Sequence, residues 1–297
     1  MARFGPVLTA MVTPMDADGN VDFEGVATLA KWLVENGNDG LVVTGTTGEA
    51  STLTDEEQVD VWRAVRDAVD VPLIAGSGTN DTRHAAHLTA QAADAGMNAV
   101  LLVTPYYSRP SQAGIEQHFR HVAAATDLPA MLYDIPVRTG RKISNEVIWR
   151  LVEDVPNIWA VKDAATNVAE SARLIAEAPA GFELYSGEDA LTLALLAVGA
   201  VGVIGVATHW AAREAGEMIA AFSKGDVEHA RSVNARLIES WDFETGDANP
   251  NPQPTKAMLR ALGLPAGQCR LPMGDAPPGL EERALDVWRN LGHETPS

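Results

Sequence analysis

The chain has 297 residues, of which 46% are hydrophobic; 40 acidic against 22 basic residues leave a net charge of −18. That balance argues against a nucleic-acid partner, whose phosphates need clustered Lys and Arg, and no apolar run approaches the roughly 20 residues of a membrane helix. The single cysteine, Cys269, excludes an internal disulfide, and the start "MARFGPVLTAMVTP" lacks the basic, apolar and small-residue succession of a secretion signal, so a cytoplasmic protein is expected.

In chain order, apolar runs rich in β-formers alternate with helical patterns. "PVLTAMVTP" (6–14) precedes "DFEGVATLAKWLVENG", which closes on Gly37, a glycine suited to a helix C-terminus. "DGLVVTGTTGE" (39–49) precedes "TDEEQVDVWRAVRDAV", where Thr54 and Glu57 sit at capping-box spacing. "VPLIAGSGTN" (71–80), "NAVLLVTPYY" (98–107) and "LPAMLYDIP" (128–136) follow, each with its helix. "NIWAVKDA" (157–164), "FELYSGED" (182–189) and "AVGVIGVATH" (200–209) complete the set. The runs are continuous rather than alternating, as parallel strands covered on both faces require.

Eight such units predict a (β/α)8 barrel over residues 1–210; a doubly wound sheet is the alternative, because alternation alone does not close a barrel. Residues 211–297 read as a C-terminal helical region, with "TGDANPNPQP" (245–254) as a turn or linker inside it.

In a barrel the chemistry gathers at the carboxyl ends of the strands. Those ends carry Thr46, Thr47 and Glu49; Ser77, Thr79 and Asn80; Thr104, Tyr106 and Tyr107; Tyr133, Asp134 and Arg138; Lys162; and Ser186, Glu188 and Asp189. They form no metal-ligand set. The helical pairs His84/His87 and His118/His121 lack a third ligand. "GSGTND" has Asp81 where a dinucleotide fingerprint needs its third glycine, and "GTTGEAS" lacks the Gly-Lys-Ser/Thr ending of a phosphate loop. Cys269, in "GQCRLP", has no strand-end setting.

Of the five lysines, only Lys162 ends an apolar strand. Desolvation there disfavours the ammonium and lowers its pKa, and a neutral amine can form a Schiff base. The competing reading is a structural ion pair with Asp163 or Glu188. Tyr133 ends the preceding strand, about 4.8 Å away in a parallel sheet, where a phenol can carry protons for imine chemistry. Arg138 could grip a carboxylate in two-point fashion, or close a loop salt bridge.

Taken together, "GTTGEAS" (45–51), "VTPYYSRPSQ" (103–112), "YDIPVRTG" (133–140), "VKDAA" (161–165), "YSGED" (185–189), "GAVGVIGVATH" (199–209) and "NPQPTK" (251–256) resemble the dihydrodipicolinate synthase and N-acetylneuraminate lyase family of lysine-dependent aldolases. The likeness covers nearly the whole chain. It implies that Lys162 forms an imine with pyruvate and that Tyr133 shuttles protons. Thr46 would link Tyr133 to Tyr107, supplied by a neighbouring subunit. Thr47 would bind the pyruvate carboxylate, the backbone near Gly187 and Ile204 would line its pocket, and Arg138 would hold the second substrate.

Arg138 and "NPQPTK" resemble the synthase branch, which implies condensation of pyruvate with L-aspartate 4-semialdehyde on the diaminopimelate route to lysine. Another pyruvate-dependent lyase and a non-catalytic ligand-binding barrel are the alternatives. The resemblance implies no metal or organic cofactor, since the protonated imine is the electron sink, and at least a dimer, with a homotetramer of two such dimers expected. The chain departs from the synthase pattern at Val137, Ala165 and Gly205. Asp55 and Gln58 stand where lysine-inhibited members carry histidines, and His84 where they carry a glutamate. Weak or absent feedback by lysine is therefore expected.

Overall fold

Eight short strands carry the apolar runs, and a computed structural model describes residues 2–294. The strands are β1 (Val7–Ala10), β2 (Gly40–Val43), β3 (Leu73–Gly76), β4 (Ala99–Val103), β5 (Ala130–Asp134), β6 (Ile158–Asp163), β7 (Glu183–Ser186) and β8 (Gly202–Gly205). Each pairs in parallel with the next, and β8 pairs with β1, closing the barrel. The strands are shorter than the apolar runs that announce them, because each run continues past the sheet into the rim.

The helices are α1 (Phe23–Glu35), α2 (Asp55–Ala68), α3 (Thr82–Asp94), α4 (Gln112–Ala123), the single turn α5 (Pro136–Thr139), α6 (Asn145–Asp154), α7 (Val168–Glu177), α8 (Thr192–Ala197), α9 (Thr208–Ser223), α10 (Val227–Glu244), α11 (Gln253–Ala261) and α12 (Leu280–Asn290). Side-chain caps set most entries: Asp22, Thr54, Asp81, Ser111, Ser144, Asn167 and Asp226 each accept a first-turn backbone N–H. At Thr54 the reciprocal bond, donated by the Thr54 backbone N–H to the Glu57 carboxylate, completes the capping box read from the sequence. A cap of this kind stabilises a helix by about 1 kcal/mol.

Side-chain alternation sorts each strand into two cores. Outward residues such as Leu41, Val43, Leu132 and Val161 pack under the helices with Leu29, Trp62, Phe119 and Leu151. Inward residues such as Leu8, Val42, Ile74, Met131, Tyr185 and Ile204 fill the barrel. Phe4 meets Trp159 edge-on at 5.4 Å at the amino-terminal end, and the Arg3 guanidinium lies 5.3 Å from the Trp159 ring. Polar chemistry is thereby left to the opposite end.

The boundary expected at residue 210 falls inside α9. That helix packs against β1 and β8 and against α10, so the wall of the barrel runs without a break into the C-terminal helices. Leu259 of α11 and Ala266 belong to the same core as the helix layer. Helix α12 was not among the predicted elements. Its apolar residues, Leu280, Ala284, Val287 and Leu291, do follow helical spacing. Among the described residues no helix is long and apolar enough to cross a membrane.

Candidate active site

Strand periodicity decides where Lys162 points. Ala160 and Ala164, two residues to either side, belong to the barrel interior, whereas Val161 packs under the helices. Lys162 therefore shares the inward face. Asp163 faces outward, taking a bond from Ser171 Oγ at 2.5 Å and the Ala165 N–H at 2.9 Å. The ion pair between Lys162 and Asp163 is thus excluded by direction. Among the described residues Lys162 forms no ion pair, and Asp189, Glu244 and Glu188 act on it only through space.

Burial is the main influence on this amine and pulls its pKa down to about 8, with the Arg138 charge acting in the same direction. Lys162 is 5% exposed. Its side chain lies against Gly187, where a Cβ would stand 2.9 Å from Lys162 Cγ and 3.1 Å from Cε. Any larger residue at 187 would push the amine off its line.

Tyr133 and Lys162 are register partners on β5 and β6. The Lys162 nitrogen lies 4.5 Å from the centre of the tyrosine ring, within the range of an attractive cation–π contact. Burial pushes the phenol pKa up; the Arg138 charge and a hydrogen bond with Thr46 work against it. The resting phenol is therefore protonated.

Thr46 and Thr47 sit on the loop leaving β2. This loop is held in a strained form, with left-handed φ values of 53° at Thr44 and 58° at Glu49. Such conformations persist only where the surroundings over-determine them. Trp62 Nε1 donates to Thr44 Oγ1 at 2.6 Å, and Thr13 Oγ1 donates to the Gly48 carbonyl at 2.7 Å.

The C-terminal region supplies the rest of the restraint. Asn251 Nδ2 donates to Thr47 Oγ1 at 2.8 Å. Lys256, fully buried, pairs with Glu49 Oε1 at 2.5 Å and donates to the Gln268 carbonyl at 3.0 Å. The Arg270 N–H donates to Glu49 Oε2 at 2.8 Å. Removing one partner of a buried pair strands the other charge. Lys256→Met should therefore lose about 3–5 kcal/mol of stability, read from chemical denaturation midpoints.

Lys162, Tyr133, Thr46, Thr47, Arg138 and Gly187 all line one cavity of about 560 Å³. A second chamber of about 220 Å³ adjoins it through Thr46, Tyr133 and Arg138 and is lined by Tyr106 and Ser51. Arg138 forms no ion pair among the described residues, so its guanidinium is available to a ligand. Two of the sequence candidates stand apart. Ile204 is fully buried in the barrel interior, and Val206 is the residue that brings this edge to the cavity. Tyr107 is 91% exposed, with a left-handed φ of 71°, and lines neither chamber.

The loop leaving β8 is fixed from several sides. Asp189 Oδ2 accepts the Val206 N–H at 2.9 Å, and Glu244 Oε2 accepts the Ala207 N–H at 2.8 Å. His209 bonds the Val206 carbonyl through Nδ1 at 2.8 Å and accepts the Val12 N–H at Nε2. Burial holds this histidine neutral, with a pKa of about 4. Sequence reasoning reached neither Glu244 nor Asn251 as site residues. Asn251 stands in the "NPQPTK" signature, but no local signal marks Glu244, the last residue of α10 and 39 residues past the end of β8.

The histidine pairs noted in the sequence are engaged elsewhere: His84 Nε2 meets Asp55 Oδ1 at 2.7 Å, and His118 Nδ1 meets Thr82 Oγ1 at 2.9 Å. Cys269 is buried and burial pushes its thiol up to about 11, which leaves it a poor nucleophile.

A model of the dihydrodipicolinate synthetase family matches residues 3–284. A 4-hydroxy-tetrahydrodipicolinate synthase from Acidothermus cellulolyticus is 50% identical over 93% of this chain and 88% of its own. One from Moorella thermoacetica is 44% identical over 98% of this chain and 99% of its own. Among solved structures, dihydrodipicolinate synthase from Bacillus anthracis superposes with a TM-score of 0.93 at 41% identity, covering 97% of this chain and 99% of the other. The Cyanidioschyzon merolae synthase with lysine bound gives 0.94 at 41% identity, over 97% and 98%. With a buried amine and a phenol paired on adjacent strands and a family match along nearly its whole length, the chain belongs to the dihydrodipicolinate synthetase family.

Proposed function

We propose that the chain condenses pyruvate with L-aspartate 4-semialdehyde to 4-hydroxy-tetrahydrodipicolinate, through an imine on Lys162, in diaminopimelate and lysine biosynthesis. The observation that carries this reading is the buried, unpaired Lys162 amine beside the Tyr133 phenol in a cavity that also holds Arg138. Related proteins at 42–50% identity are named for this reaction.

The neutral Lys162 amine attacks the ketone carbon of pyruvate. Tyr133 donates a proton to the departing hydroxyl, water leaves, and a protonated imine remains. Loss of a proton from the pyruvate methyl gives an enamine, which adds to the aldehyde carbon while the aldehyde oxygen takes a proton. The amino group of the second substrate then attacks the imine carbon, closes the ring and releases Lys162. Thr47 holds the pyruvate carboxylate and Arg138 the carboxylate of the semialdehyde. The imine itself accepts the electron pair, so the scheme calls on no metal or organic cofactor.

Tyr107 completes the relay in a partner subunit, as its exposure and strained backbone suit a side chain offered outward. The assembly is then a homotetramer of two such dimers, working in the cytoplasm. Borohydride added with pyruvate should leave a stable mass on Lys162, located by digestion, and a screen of aldehyde acceptors should favour aspartate semialdehyde. No adduct would remove the imine reading. Preference for a sugar aldehyde would move the chain to a different lyase of the family.

Feedback by lysine is weak or absent in this reading. Asp55 and His84, at two of the positions that differ from lysine-inhibited members, bond each other at 2.7 Å. Titration with lysine should leave the rate unchanged through the sub-millimolar range; strong inhibition there would overturn this.

A further inference from the structure

Two buried carboxyl groups beside the lysine have no part in the scheme above. Asp189 opens a short turn after β7, and Glu244 ends α10. Each is 4% exposed and each lines the Lys162 cavity. They accept consecutive backbone N–H groups, Val206 at 2.9 Å and Ala207 at 2.8 Å, which holds the two carboxyl groups as neighbours on one loop. Two ionised carboxylates buried as neighbours repel each other, which favours one proton on the pair.

The space for the pair depends on Gly205. A Cβ at that position would run into Asp189 Oδ1 and crowd Thr208 Cγ2, 2.8 Å away. This is one of the positions where the chain departs from the pattern it resembles, so the departure and the buried pair are parts of one local arrangement.

During the reaction the Lys162 nitrogen alternates between neutral amine or enamine and cationic imine. In a low-dielectric cavity each cationic stage needs a nearby negative charge. Two full charges would trap the resting amine as ammonium, and none would leave the imine unbalanced. We propose that Asp189 and Glu244 form a one-proton carboxyl pair that sets a single negative charge beside the Lys162 nitrogen and stabilises its cationic imine. They are positioning residues, and the proposal rests on Lys162 being the imine-forming residue.

The other groups facing this space are accounted for. Arg138 opposes the pair from α5, Glu188 adds a carboxyl from the β7 exit, Tyr133 faces it from β5, and Asp247 stands in the cavity wall. Burial drives the direction of both members: the Asp189 carboxyl is pushed up to about 6, and that of Glu244 is raised further by burial and by Asp189.

Glu244→Gln keeps an acceptor for the Ala207 N–H, offers a donor to Asp189 and leaves one negative charge. Asp189→Asn/Glu244→Gln removes the charge of the pair and leaves the more open Glu188. At neutral pH the infrared spectrum of the full-length protein should contain a protonated-carboxyl band that Glu244→Gln removes. In borohydride trapping of pyruvate, the pH midpoint of the double variant should fall by about one unit, while that of Glu244→Gln should stay at the wild-type position. A purely structural pair would lower the melting temperature and leave the midpoint in place, which would overturn the proposal. So would a carboxyl band undiminished in Glu244→Gln, since it would belong to Asp134, held at about 7 by burial. If the double variant does not fold, the infrared comparison on Glu244→Gln decides alone. Failure of the wild-type protein to trap pyruvate would overturn the Lys162 assignment, and the proposal with it, whatever the infrared result.

Discussion

Lys162→Met should abolish pyruvate trapping and lower kcat by at least about 10⁴-fold, since the proposed scheme loses its nucleophile. Methionine keeps the length and the apolar contacts with Gly187, so the fold survives and the loss is chemical. Intact-mass measurement after borohydride and steady-state rates check this together; a variant retaining even a tenth of the rate would contradict it. The same amine shapes the pH profile of the wild-type protein. With its pKa pulled down to about 8 by burial, the neutral fraction falls about tenfold for each pH unit below that value. The kcat/KM for pyruvate should therefore rise from pH 6 to pH 8 with a slope near one and then level.

Tyr133→Phe should cost about 10²–10⁴-fold in kcat, the usual range for a proton carrier, with a smaller change in the KM for pyruvate. The ring stays, so the contact with the Lys162 nitrogen stays. Only the hydroxyl is removed, and with it the proton for the departing water. The burial that pushes the phenol pKa upward keeps it protonated across the working range, so the defect should persist at every pH from 6 to 9. A defect that vanished at low pH would show that solvent protons can replace the phenol, and that Tyr133 is not the obligate carrier.

How much of this was legible in the sequence depends on the range of the interaction. The eight strands and the cap at Thr54 are local, written in apolar runs and in a side chain a few residues from the bond it makes. Closure of β8 on β1 is not local, and only the count of repeating units pointed to it. Lys162 stood out because an ammonium ended an apolar strand. Lys256 gave no such signal, yet it is more deeply buried. The difference lies in partners: Lys256 has Glu49 and the Gln268 carbonyl, whereas Lys162 makes no ion pair or hydrogen bond among the described residues. A sequence shows where a charge falls along the chain but not what waits across space to meet it. Glu244 was invisible for that reason, as was the bond from Asn251 to Thr47.

That bond has a consequence for synthesis. The segment carrying Thr47 and Glu49 leaves the ribosome about 200 residues before Asn251, Lys256 and Arg270, with separations of 204 residues for Asn251–Thr47 and 221 for Arg270–Glu49. Contacts so distant along the chain form late, after shorter loops have closed. Until then the emerging barrel holds Lys162 without the last restraints on Thr47, which the proposed scheme places against the pyruvate carboxylate. A nascent chain stopped before residue 250 would carry every group that does chemistry and still lack the means to aim them, so competence arrives with the final helices rather than with the reactive residues.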